Sequence, residues 1–253
     1  MKIVVVGASS GLGRSIAIAL GKNGDQLALL ARRHDRVVEA AEEVGHGSIG
    51  IRCDVTDETS CRSAIEQAAS ELGAIDGLVY AAGMGPLAPL IETNAAMWRQ
   101  TFDTNVIGAA LVTAAAIPHL AASNGAAAYL SSVSASVTPP WPGLGAYAVS
   151  KAALDSLVDA WRGEHPAIGF TRVVVGDCGG GEGPSGSEFP NAWDFEYFAE
   201  LHPIWAARSY LSGSLLDVQE LAKVVETVLR LGATAAIPSV TVVPRPAGGP
   251  PPA

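Results

Sequence analysis

Cysteine, charge and long apolar runs are all scarce in this chain, and each scarcity excludes something. Of 253 residues only three are cysteines, Cys53, Cys61 and Cys178, at spacings that fit neither a disulfide framework nor a zinc knuckle. No metal site is expected, and a reducing cytoplasm is the expected setting. Charged residues make up 16% of the chain, and 25 Asp and Glu outnumber 16 Lys and Arg, for a formal net charge of -9. That balance works against non-specific binding to nucleic acid or to an anionic membrane face, so a bound anion needs a local cationic patch. Soluble domains average about 25% charged residues; the shortfall here, with 28 glycines, predicts close packing and surface buried in a homodimer or homotetramer. The apolar run Ile3–Val6 stops at Gly7, too short for the hydrophobic part of a secretion signal. A second run, Val106–Ile117, ends at Pro118, short of the roughly 20 residues that span a bilayer, and is expected to be a buried helix.

What the chain does have is alternation. Runs rich in branched apolar residues recur at 2–6, 26–31, 48–53, 77–81, 126–131, 168–175 and 240–243, and between them stretches such as 12–23, 35–44, 58–72, 95–120 and 147–161 carry helical spacing. Parallel strands joined by helical crossovers follow. Strands such as Ile3-Val4-Val5-Val6 are apolar on both sides, so helices must cover both faces. The expected fold is α/β, a single doubly wound Rossmann domain over 1–253 with a seven-stranded, mostly parallel sheet. Residues 176–213 are expected to form a flexible lid and 244–253 a proline-rich tail.

Gly7-Ala8-Ser9-Ser10-Gly11-Leu12-Gly13 joins the first strand to the first helix. Glycines let the backbone approach a pyrophosphate, whose charge is met by free N–H groups and the positive end of the helix dipole. After the second strand stand Ala31-Arg32-Arg33, where an NAD site would place an acid. Two guanidiniums there suit a ribose 2′-phosphate, which favours NADP(H); the alternative is a pair of solvated arginines. Asp54, before Val55 at the end of the third strand, either accepts from an adenine amino group or serves the turn before the next helix.

Tyr147 and Lys151 lie four residues apart on a predicted helix and so share a face. A cation beside a phenol favours phenolate, so the spacing predicts a tyrosine pKa lowered from about 10, suited to proton exchange with an alcohol or carbonyl oxygen. The fifth strand ends in Ser131-Ser132, where a hydroxyl can hold the substrate oxygen against the tyrosine. Asn105, in a helical stretch, offers an amide to a water that relays protons to Lys151.

With these motifs in this order, the chain from Lys2 to about Val175 resembles the short-chain dehydrogenase/reductase family. The resemblance implies an oxidoreductase with catalytic Asn105, Ser132, Tyr147 and Lys151. It also implies an NADP(H) site of Gly7, Ser9, Ser10, Gly11, Leu12, Gly13, Arg32, Arg33, Asp54, Val55, Ala82 and Gly83, with Tyr147 and with Lys151 on the nicotinamide ribose. The chain departs from the family at four places. Tyr80-Ala81-Ala82-Gly83 replaces the usual Asn-Asn-Ala-Gly, which removes bracing amides. Thr138–Pro142 lengthens the serine-to-tyrosine segment, so that counting back from Tyr147 gives Ser134 where the strand end gives Ser132. Gly176-Asp177-Cys178 replaces a Pro-Gly step, and the last strand runs into Pro244-Arg245-Pro246.

Aromatics crowd the segment from Phe189 to Tyr210, behind the glycine-rich run 176–186. Such a segment either closes over an apolar substrate or packs permanently on the body. Glu182, Glu188, Asp194 and Glu196 would repel anionic substrates if they lined the entrance. The reading reached is an NADP(H)-dependent reductase or dehydrogenase of a small carbonyl or alcohol. A cofactor-binding sensor or scaffold without turnover is the rival.

Overall fold

The computed structural model describes residues 1–245, so from residue 246 the expected proline-rich tail lies outside the described residues. Seven strands, β1 (Lys2–Val6), β2 (Gln26–Ala31), β3 (Ile49–Arg52), β4 (Gly77–Tyr80), β5 (Ala126–Ser132), β6 (Gly169–Val175) and β7 (Ser239–Val242), pair in the order β3-β2-β1-β4-β5-β6-β7. Every pairing is parallel. Alternation within a strand sends neighbouring side chains to opposite faces, and both faces are dry. Val4 and Val6 join one core with α3 (Glu58–Leu72), α5 (Gly108–Ser123) and α7 (Gly145–Glu164). Ile3 and Val5 join the other with α1 (Gly11–Lys22), α2 (His34–Val44) and α9 (Val218–Leu229). The chain order reverses between β1 and β4, which opens the crevice where dinucleotides bind in such sheets.

The expected helix over 95–120 is a composite. α4 (Ala95–Phe102) passes through a π turn at Asp103–Ile107 into α5. Pro118 does not end it, because α5 continues to Ser123. The whole run Ala95–Ser123 has the length and apolarity of a membrane span, yet Ala109, Val112, Ala116 and Leu120 are wholly buried in the core that also holds Leu78 and Tyr129. Gly108 is what lets it sit so close: a Cβ there would come within 2.7 Å of the Tyr80 hydroxyl. Tyr80 itself replaces the bracing amide that the sequence lacks, since its hydroxyl donates to the Thr104 carbonyl at 2.6 Å inside the π turn.

The stretch after β6 contains α8 (Phe195–Ala207), capped by Asp194, and then α9. α9 buries Val218, Leu221, Ala222, Val225, Val228 and Leu229, an i, i+3, i+4, i+7 stripe that fills the core beside α1. Between β5 and α7 lies a short helix, α6 (Val133–Ser136), capped by the Ser132 hydroxyl.

Candidate active site

The phosphate turn closes where β1 meets α1. Gly7 holds φ of +85°, and a Cβ on it would lie 2.6 Å from the Ala82 nitrogen, so only glycine allows β4 and its Ala82-Gly83 exit to approach. Arg33, not Arg32, reaches back onto this turn. Its Nη2 donates to the Ser9 hydroxyl at 2.7 Å and to the Ser10 hydroxyl at 3.0 Å. Arg33 and Arg36 both pair with Glu188, a carboxylate from the far loop. Ser10, Arg33 and Arg36 thus already hold an anionic group, the kind of ligand their charges suit. Asp54 spends one oxygen on its own turn, where Oδ1 accepts from the Thr56 amide at 3.0 Å and hydroxyl at 2.8 Å.

Ser132, Tyr147 and Lys151 converge at the carboxyl ends of β4 and β5. Lys151 is 4% exposed, and its ammonium donates to the Leu130 carbonyl at 2.7 Å and sits 5.8 Å from the Tyr147 ring centre. Burial lowers its pKa to about 8, with Asp155 opposing. The expected low tyrosine pKa is not what the structure gives. Burial pushes Tyr147 up to about 12, against a hydrogen bond from Ser132, because the ammonium is spent on Leu130 and is itself desolvated. Ser132 is the serine whose hydroxyl opposes that rise, and both Ser132 and Ser134 line the same cavity as Tyr147. The two stand hydroxyl to hydroxyl at 2.9 Å.

Asn105 is wholly buried in the π turn, and its amide is committed. Nδ2 donates to the Met84 carbonyl at 2.7 Å and the Ser150 hydroxyl at 2.8 Å, while Oδ1 accepts from the Met84 amide at 2.9 Å. Both amide hydrogens are taken, so the expected relay water cannot be bound by them. The side chain instead fixes the segment Gly83–Gly85 against α7, where a Cβ on Gly83 would sit 3.3 Å from Lys151 Nζ.

In front of Tyr147 opens a cavity of about 550 Å³. Ser132 and Ser134 line it beside Tyr147, and Trp141, Phe189, Trp193 and Trp205 supply an aromatic part of the wall. Phe189 packs edge-on to Tyr147 with centres 4.9 Å apart. Trp193 donates to the Gly85 carbonyl at 3.0 Å and Trp205 to the Pro142 carbonyl at 3.0 Å. The aromatic segment therefore packs on the body and covers the cavity at once. Of the acids expected at the entrance, Glu182, Glu188, Asp194 and Glu196 do not line this space; Asp177 does. Its carboxyl accepts from Ser212, and burial raises its pKa. Cys178 also lines the cavity and donates to the Leu216 carbonyl at 3.3 Å.

The model of the short chain dehydrogenase family matches residues 1–183, which include every side chain of the catalytic cluster. The chain belongs to the short-chain dehydrogenases. Over 180 residues this short-chain dehydrogenase is 36% identical to 11-beta-hydroxysteroid dehydrogenase A of Sesamum indicum, covering 69% of this chain and 51% of that one. The chain thus spans about half the length of that relative. It is 33% identical over 169 residues to an uncharacterised oxidoreductase of Staphylococcus saprophyticus, covering 66% of this chain and 68% of the relative. In fold it is similar to an alcohol dehydrogenase of the archaeon Thermococcus sibiricus solved with 5-hydroxy-NADP, with a TM-score of 0.78 over 95% of this chain and 94% of that one at 23% identity.

The roles of Arg36, Glu188, Ser150 and Trp141 in this short-chain dehydrogenase site escape a reading of the sequence, which set Glu188 among the acids at the substrate entrance. Arg36 and Glu188 meet across 152 residues, a pairing no local pattern encodes. Ser150 lies inside the Tyr147-to-Lys151 spacing, where its helical phase was the available signal. Trp141 sits in the lengthened loop and turns inward, 8% exposed.

Proposed function

We propose that this short-chain dehydrogenase is an NADP(H)-dependent reductase of ketones or aldehydes, and an alcohol dehydrogenase in the reverse direction. The observation that carries the reading is that Tyr147 and Ser132 line one cavity together with a cluster of aromatic and aliphatic side chains, with the Lys151 ammonium buried beside them. The nicotinamide cofactor, when bound, supplies or takes up the hydride. Residues of the Gly7–Gly13 turn would hold its pyrophosphate, Ser9, Ser10 and Arg33 its 2′-phosphate end, Asp54 and Val55 its adenine, and Ala82, Gly83 and Lys151 its nicotinamide ribose side.

Ser132 donates to the carbonyl oxygen and positions it. Tyr147 then gives its proton to that oxygen as the carbonyl carbon is reduced, so one hydride and one proton yield the alcohol. A phenol with a pKa near 12 is fully protonated at neutral pH, the state that reduction requires. Lys151, as an ammonium, stabilises the phenolate left behind. The aromatic wall favours an apolar or ring-containing carbonyl compound, and Asp177 disfavours a carboxylate beside it. A low charge fraction supports a homodimer or homotetramer, and free thiols at all three cysteines support a cytoplasmic setting.

Tyr147→Phe tests the reading. The variant should bind NADPH as the parent does and lose turnover by at least a hundredfold across a panel of ketones and aldehydes. Turnover within tenfold of the parent would remove Tyr147 from the chemistry. A parent that binds NADPH but reduces nothing on the panel would instead favour the sensor.

A further inference from the structure

Glu188 is an acid in an unusual place for a cofactor site that lacks one at the end of β2. Its two oxygens bridge Arg33 Nη1 and Arg36 Nη1, and Ser10 Oγ donates to the first of them at 3.4 Å. Arg33 turns its other nitrogen to Ser9 and Ser10. The loop that carries Glu188 is anchored on the phosphate turn itself, with the Gly11 amide donating to the Gly186 carbonyl at 3.0 Å. An antiparallel bridge between Gly180 and Gly186 closes the loop on itself. Against the partial desolvation of the carboxyl, bonds from Arg36 and Arg33 hold the Glu188 pKa below its ordinary value, so it is an anion at neutral pH. Beside it a cavity of about 410 Å³, lined by Arg14, Arg36, Glu39 and residues of the 183–188 loop, leaves the carboxylate room to move aside.

We propose that Glu188 is a specificity-determining residue for the cofactor. It occupies the Ser10–Arg33–Arg36 cradle and competes with a ribose 2′-phosphate there, while offering a ribose 2′-hydroxyl the acceptor that the end of β2 lacks. The inference rests on the assignment of Ser9, Ser10 and Arg33 to the 2′-phosphate.

The competition is real but limited. A carboxylate tethered on a short loop is always present at high effective concentration. Yet the pairs are partly exposed, with Arg33 42%, Arg36 46% and Glu188 31% open to solvent, and exposed pairs are individually weak. A phosphate monoester brings more charge and three acceptor oxygens. NADP(H) therefore displaces Glu188, at a loss of affinity, and NAD(H) retains it. Selectivity for NADP(H) is accordingly lower than two free arginines would set.

Titration calorimetry with NADPH, NADH and the probe 2′,5′-ADP decides the matter without reference to turnover. Glu188→Gln keeps the side-chain volume and removes the charge. It should tighten NADPH and 2′,5′-ADP about threefold to tenfold and leave NADH unchanged or weaker, and Glu188→Ala should move the same way. An NADPH-to-NADH affinity ratio that neither variant alters overturns the proposal. Arg33→Ala serves as the control on its foundation. If Arg33→Ala lowers that ratio at least tenfold while the Glu188 variants do nothing, the 2′-phosphate site stands and only the role of Glu188 falls. If Arg33→Ala leaves the ratio unchanged, the site assignment falls with it.

Discussion

Asp155 lies one helical turn beyond Lys151, 6% exposed, with an Oδ1 that has no hydrogen-bond partner. Burial raises its pKa, while Ser131, Arg172 and Lys151 oppose that rise. Its charge in turn raises Lys151, whose pKa desolvation has brought down to about 8. The sign of the consequence is fixed. Reduction needs Lys151 as an ammonium, so kcat/KM for carbonyl reduction should fall as pH rises through about 8 in the free enzyme. Asp155→Asn removes the charge that raises Lys151, so the alkaline limb should move to lower pH by a fraction of a unit up to about one unit. A pH–rate series on both proteins reads this directly. A limb that stays in place or moves to higher pH would show that Asp155 serves packing alone. A purely structural defect cannot imitate the expected shift, because it lowers the rate without moving the limb.

At the scale of elements, the π turn does work that a regular helix could not. It brings Asn105 inward to saturate the Met84 amide and carbonyl, and it presents the Thr104 carbonyl to Tyr80. Asn105→Ala would leave Met84 and the wholly buried Ser150 without those bonds, at a cost of about 1–3 kcal/mol for buried groups left unpaired. Urea unfolding should report that loss as a lower midpoint at unchanged slope. An unchanged midpoint would mean that water replaces the amide. The strands were readable because branched apolar residues concentrate in them, in β1 and β2 on both faces, and α1, α3 and α7 because apolar positions repeat at helical spacing. The π turn was not, since an i to i-5 hydrogen bond leaves no periodicity of its own. Tyr147, Lys151 and Ser132 were legible because strand ends and helix phase place them. Their protonation was not, because it depends on how much water the folded chain removes.

Coupling between the aromatic cap and the rest of the molecule decides whether the cavity is part of the domain's core or a separate flap. Leu201 and Trp205 of α8 share a buried cluster with Val174 of β6, Val133, Trp141, Leu144 and Leu87, so the cap rests on residues from four parts of the body. Such a cluster should melt with the sheet rather than ahead of it. Of the five tryptophans, Trp193 and Trp205 belong to this cap and Trp141 packs against it from the body. Tryptophan fluorescence therefore reports chiefly on it, whereas far-ultraviolet circular dichroism reports on the helices and the sheet. The two thermal transitions should coincide. NADPH at about a hundred times its Kd stabilises the folded state by about 2.7 kcal/mol and should raise both midpoints together by about 5–10 °C for a domain of this size. A fluorescence transition several degrees below the dichroism transition, or a midpoint that NADPH raises by one probe alone, would make the cap an independent flap. Because the Glu188 loop lies between β6 and α8, a cap that melts as one with the sheet also holds that carboxylate over the phosphate turn, and the cofactor must then displace the Glu188 side chain while the cap stays folded.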